Sequence, residues 1–321
     1  GEAALQLGQW QAAMEQFQEA VKIAPNEPIS HLSLARLLVL RAETQRLYEA
    51  AQAIRHTPGE TSLSRQAYAA FEQAIDTAHQ QVSQWLTTEG RHGDPSQQPL
   101  QTGRLTYRAI PYRRSDVIQA QTMISRWRAR GQAIFQPGPQ STQALSATLA
   151  ILPPNAEDIA AQIAAIRMSC IQETKSSSQF TPNHLSLGAA KPAVIAAQAA
   201  RAYPDHPLVL AQLALILFSE QENCSEASKQ EALNAIKLSI ANPDVATKCS
   251  IGLWPVCNAL LARIALAAGE RDIAQQAIQT ALNSWPNEPR WQALAAQIDT
   301  SLGEYQTAAA HLEQAIGLEP D

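Results

Sequence analysis

Residues 255–288 read PVCNALLARIALAAGERDIAQQAIQTALNSWPNE, and residues 289–321 read PRWQALAAQIDTSLGEYQTAAAHLEQAIGLEPD. Laid one over the other, Gly269 and Gly303 stand 34 residues apart, as do Pro286 and Pro320. The small residues Ala274 and Ala281 match Ala308 and Ala315, and the larger Ile278 matches Leu312. Within each unit the paired alanines are seven apart, which puts them on one helix face where two backbones can approach closely. A glycine can end a first helix in the left-handed conformation, and a proline stops the second. Each unit therefore predicts a helix hairpin, and a single hairpin cannot bury its apolar face without a stacked neighbour.

This register is similar to that of the tetratricopeptide repeat family. Its turn glycine corresponds to Gly269 and Gly303, its crossing residue to Ala274 and Ala308, and its closing proline to Pro286 and Pro320. The aromatic that the family carries just after the turn is present as Tyr305 and replaced by Arg271 in the other unit. Residues 1–28, GEAALQLGQWQAAMEQFQEAVKIAPNEP, show the same pattern with Gly8, Trp10, Ala13, Phe17, Ala20, Ile23 and Pro25. Gly1 falls inside the first helix of that unit, so a longer parent chain is expected. The resemblance implies an all-α fold, a right-handed superhelical solenoid of antiparallel helix hairpins, irregular in its middle.

Composition agrees with that class. In 321 residues, 45% are hydrophobic but only 5% aromatic, and Ala and Leu carry the apolar share. Small side chains suit helix-on-helix packing, whereas a sandwich of sheets calls for more β-branched and aromatic residues. A formal net charge of -5 opposes generic nucleic-acid binding, which needs surplus cations. No apolar run reaches the roughly 20 residues that span a bilayer. The compartment is open, with the cytoplasm slightly favoured and any targeting sequence expected upstream of Gly1.

The middle departs from the 34-residue period. Residues 29–56 begin like a first helix but run on, and residues 64–86 look like its second helix, with Ala67, Phe71 and Ala74 at repeat spacing. This predicts one hairpin with overlong helices. Residues 88–115, rich in Gly, Pro, Gln and Arg, predict a long connection. Helices are expected over 116–131 and 140–151, split by Gln136-Pro137-Gly138-Pro139. Asn155 can cap a further helix, and Lys175 to Thr181 is expected to be a polar loop. Repeat character returns near Leu187, with helices over 207–220 and 225–240. The chain thus divides into N-terminal hairpins (1–87), an irregular insertion (88–115) and divergent hairpins ending in the two regular units (116–321). Five to seven hairpins are expected.

Chemistry is sparsely signalled. The seven histidines and four cysteines show neither H-E-x-x-H nor C-x-x-C spacing, and no phosphate loop or nucleophile elbow occurs. No cofactor, metal site or catalytic residue is expected, and the chain reads as non-enzymatic. Cys249 and Cys257 could pair under oxidising conditions, although small buried thiols are the plainer expectation. Glu157 and Asp158 fall where acidic side chains favour a helix start.

Two surfaces are candidates for binding. Arg104, Arg108, Arg113, Arg114, Arg126, Arg128 and Arg130 cluster with Tyr107, Tyr112 and Trp127. They form either an anion-binding patch, for nucleic acid or an acidic peptide, or internal pairs with carboxylates of adjacent helices, the reading that carries more weight. The second surface follows from the resemblance, which implies a groove lined by first-helix positions. Those positions are Val256, Ala259, Arg263 and Leu266, then Arg290, Ala293, Gln297 and Thr300. The chaperone-binding branch of the family places Lys, Arg and Asn there. That Asn and most of the Lys are missing, so a chaperone tail is not expected. A mixed or apolar peptide or helix is, with Arg263 and Arg290 meeting its acidic groups. The leading expectation is a protein-interaction scaffold with an unidentified protein or peptide partner. Its rivals are a regulatory or sensory module of a larger protein, and nucleic-acid binding through residues 104–130.

Overall fold

The computed structural model describes residue 4 and residues 10–52, 65–89, 114–151, 155–176, 192–219, 225–241 and 253–318. Among these residues it contains thirteen helices and no strand. They are α1 (Trp10–Ile23), α2 (Pro28–Gln52), α3 (Arg65–Glu89), α4 (Arg114–Phe135), α5 (Pro139–Ile151), α6 (Ala156–Ser176), α7 (Pro192–Ala202), α8 (Pro207–Ser219), α9 (Glu226–Ala241), α10 (Leu253–Ala267), α11 (Arg271–Ser284), α12 (Pro289–Leu302) and α13 (Tyr305–Leu318). Each helix packs on the next in sequence, giving hairpins α2–α3, α4–α5, α6–α7, α8–α9, α10–α11 and α12–α13, with α1 preceding them.

The first helices of successive hairpins also pack on one another: α2 on α4, α4 on α6, α6 on α8, α8 on α10 and α10 on α12. They form one continuous layer, as expected of a stack in which each unit buries its neighbour's apolar face. That layer curls back on itself. Helix α2 touches α8 and, more extensively, α10. At 25 residues and 1.5 Å per residue it is about 37 Å long. Leu38, Val39 and Ala42 lie in a core shared with α3, α4, α5 and α6. Leu47, one and a half turns later, lies in a second core built by α6 to α12. The overlong helix expected from residues 29–56 is therefore the element that joins the two halves.

The regular units fold as their residues require. Gly269 and Gly303 have φ of 80° and 83°. After them Glu270 and Glu304 donate backbone N–H groups to the carbonyls of Ala265 and Asp299, both at 2.9 Å, closing each first helix. Ala274, Ile278 and Ala281 are buried where α11 crosses its neighbours, and Ala308 is buried in α13. Leu312 and Ile316 of α13 stay exposed, since among the described residues no hairpin stacks on that side.

In the middle, boundaries shift. Helix α4 is longer than the expected 116–131 and continues to the Gln136-Pro137-Gly138-Pro139 breaker. It tolerates Gly131 because a Cβ there would lie 2.1 Å from Cζ of Phe71 on α3. The glycine admits that ring, which stacks with Phe135 and Tyr68. Helix α6 starts as expected: Asp158 donates its N–H to Asn155 Oδ1 at 2.8 Å, and Asn155 N–H returns to Asp158 Oδ2 at 3.3 Å, a reciprocal cap. It runs to Ser176, past the Lys175 at which a loop was expected, because residues 168–176 contain no Gly or Pro to stop it. Helices α3 and α4, on either side of the expected 88–115 connection, share one core. Most of that connection, with Gly8 and Cys249, lies outside the described residues.

Candidate functional site

The inner layer decides which groove positions a partner can reach. On α10, Val256 and Ala259 are buried, and α2 lies against this helix. Arg263 is half-buried and already engaged within the chain, and Leu266 is half-buried. Tyr48 of α2 meets Trp285 and Trp291, with ring centroids 6.3 and 6.0 Å apart. The two tryptophans stack at 5.0 Å with planes only 7° apart, so three aromatics close α2 against the C-terminal hairpins. The groove expected along α10 is thus occupied by the chain's own second helix. Sequence carried a trace of this: Leu47 and Tyr48 continue an apolar face beyond the length one hairpin can use.

The next inner helix, α12, meets α2 through Trp291 and keeps another face open. On α12, Trp291, Ala295, Ile298 and Asp299 face inward and are buried. Arg290, Gln297 and Thr300 are exposed and Ala293 is half-buried. Spaced three and four apart, these four residues form one stripe about 15 Å long. Its chemistry is mixed: one cation, one amide, one methyl group and a hydroxyl whose Oγ1 donates to the Ala296 carbonyl at 2.7 Å. Glu288 Oε1 accepts from the Arg290 N–H at 3.4 Å, so the stripe begins at a capped helix end. Behind it His311 Nδ1 lies 2.5 Å from Gln292 Oε1, while Gln292 Nε2 donates to the Pro286 carbonyl at 2.7 Å. The first bond fixes α12 relative to α13, and the second ties α12 to the turn that precedes it.

Of the described arginines of the cluster, Arg126 and Arg130 are turned inward and Arg128 lies at the surface. Arg130 is fully buried, with Glu43 of α2 bound to both Nε and Nη2. Its Nη1 donates to Glu157 Oε2 at 3.1 Å and lies 3.7 Å from Asp158 Oδ1, both on α6. Its guanidinium also sits 4.7 Å over the Trp127 ring. Burial raises the Glu43 pKa, and the adjacent Arg130 charge pulls against that rise. Arg126 Nε pairs with Asp158 Oδ2 at 3.2 Å, and Arg128 Nη2 with Asp76 Oδ1 at 2.6 Å. These three arginines meet carboxylates on α2, α3 and α6 instead of an external anion. Arg126, expected at a partner surface, is instead spent on Asp158, a residue with no solvent exposure at its side chain. Arg113 lies outside the described residues, and Arg114 begins α4 with its side chain outside them. The counter-charges were invisible in sequence because the partners of Arg130 stand 87 and 27 residues away.

No helix is long and apolar enough to cross a membrane among the described residues. A family model for the tetratricopeptide repeat matches residues 1–27. This is the N-terminal unit, where Ala13 and Phe17 are buried against Leu37 of α2. No curated protein matches the chain. The matched repeat and the stacked hairpins make this an all-α, tetratricopeptide-like helical repeat fold, a module that in general serves protein–protein interaction.

Proposed function

We propose that this chain is a non-enzymatic interaction scaffold that takes a peptide or helix of a partner protein along the α12 stripe. The observation that supports this reading is the contrast between adjacent inner helices: α10 is closed by α2, whereas Arg290, Ala293, Gln297 and Thr300 on α12 face outward. A helix or extended segment laid on such a stripe gains small-residue contact at Ala293. It gains side-chain hydrogen bonds at Gln297 and Thr300, and Arg290 favours an acidic group near one end. Arg126, Arg128 and Arg130 already pair with carboxylates of the chain, which favours the stripe over this end of the arginine segment as the binding face.

The test is affinity capture with mass spectrometry, using the parent protein, Arg290→Glu/Gln297→Glu and Arg113→Glu/Arg114→Glu. The proposal expects a specific partner whose recovery falls at least tenfold with the first variant and is unchanged with the second. Equal recovery by the first variant overturns the α12 stripe. A salt-dependent nucleic acid complex lost in the second variant would replace a protein partner with a nucleic acid.

A further inference from the structure

Helix α6 carries a second buried arginine whose circumstances are the reverse of those of Arg130. Arg167 is 7% exposed, and among the described residues neither its Nε nor its Nη2 has a hydrogen-bond partner. Among the described residues, the charge that bears on it is another cation, Arg46 of α2. Arg46 is held in place through Nε to the Ile134 carbonyl at 3.2 Å and Nη2 to the Phe135 carbonyl at 3.4 Å, at the end of α4. Burial, and then the Arg46 charge, lowers the Arg167 pKa to about 10, which leaves it protonated at neutral pH. The link from α6 to α7, residues 177–191, contains no Asp or Glu in its sequence.

Proteins bury ions with a counter-charge, because an unpaired ion in a packed layer loses its hydration and gains nothing in return. Arg130 obeys this rule with three carboxylates on the same inner layer. Arg167 presents orphaned donors in a planar fork, the arrangement that matches two oxygens of one anion. Its slight exposure leaves no surface for a folded partner or a duplex. We propose that Arg167, with Arg46 beside it, is a binding site for a small oxyanion, a phosphate or a carboxylate.

The test is thermal unfolding of the full chain in Tris chloride, with sodium phosphate, sulfate, acetate or succinate added at matched ionic strength. The parent is expected to show a saturable rise in Tm with the oxyanion it binds. A response to phosphate and sulfate alone identifies a tetrahedral ligand, and a response to acetate or succinate a carboxylate. Calorimetric titration of the same anion should give one site per chain. Arg167→Met is expected to melt above the parent when oxyanion is absent and to lose the shift when it is added. Arg167→Gln should lose it too, and serves if the Met variant fails to fold. No saturable shift in the parent, or an undiminished shift in either variant, overturns the proposal.

Discussion

In the C-terminal hairpins, α10 to α13, helices cross on Ala274, Ala277, Ala281 and Ala308, and left-handed glycines close the first helices. In the central ones, α2 to α6, they cross on Phe71 set into Gly131 and on a buried arginine with three carboxylates. Both regions stack hairpins through a layer of first helices. The first does it with residues defined by their place in a repeat, so any unit can follow any other. The second does it with pairs that recognise one another across 27 to 87 residues of chain, so its order is fixed. That difference teaches where specificity sits: the repeated part supplies an extendable stack, and the unrepeated part supplies a unique curl.

The comparison predicts unequal costs. Arg130→Met should have the largest effect, about 3–5 kcal/mol in denaturant unfolding, because it leaves the buried Glu43 without its cation and Asp158 with Arg126 alone. Arg130→Met combined with Glu43→Leu should recover part of that loss. A loss under about 1 kcal/mol for the single variant would mean that the charges are hydrated and that the central core does not depend on them.

Ala274→Leu should cost less, about 1–3 kcal/mol, by overpacking a crossing that is closed on both sides. Ala308→Leu should cost less again, since α13 has an open flank with Leu312 and Ile316 exposed and can shift outward. If both variants melt like the parent, the repeat register is wrong. If Ala308→Leu is the worse of the two, the end hairpin is as confined as the one before it.

What could be learned from sequence follows the same division. The turn glycines Gly269 and Gly303, the crossing alanines Ala274, Ala281 and Ala308 and the Asn155 cap are local devices, and these were found where their spacing placed them. The helices of the centre were also legible, because Pro137, Gly138 and Pro139 and the long apolar runs mark their limits. Their partners were not. Nothing in the spacing of Arg126, Arg128 and Arg130 shows that Asp76, Glu43 and Asp158 stand opposite, since those contacts exist only after four helices have packed. The groove was half legible for the same reason. The repeat register put Val256 and Ala259 beside Arg290 and Gln297 on one inner layer, but the covering of α10 by α2 depends on the curl of the whole stack. An isolated sequence pattern describes that layer only as if it were straight.

The central claim is that α2 closes the stack by reaching the C-terminal hairpins. It is tested most directly by placing the photo-crosslinking residue p-benzoylphenylalanine at Tyr48 and mapping the intramolecular product by mass spectrometry. With Tyr48 packed against Trp285 and Trp291, illumination should join the α2 peptide to the segment spanning residues 285–291. Products confined to the neighbouring N-terminal helices α1, α3 and α4 would contradict the closure, and with it the account of which groove is open.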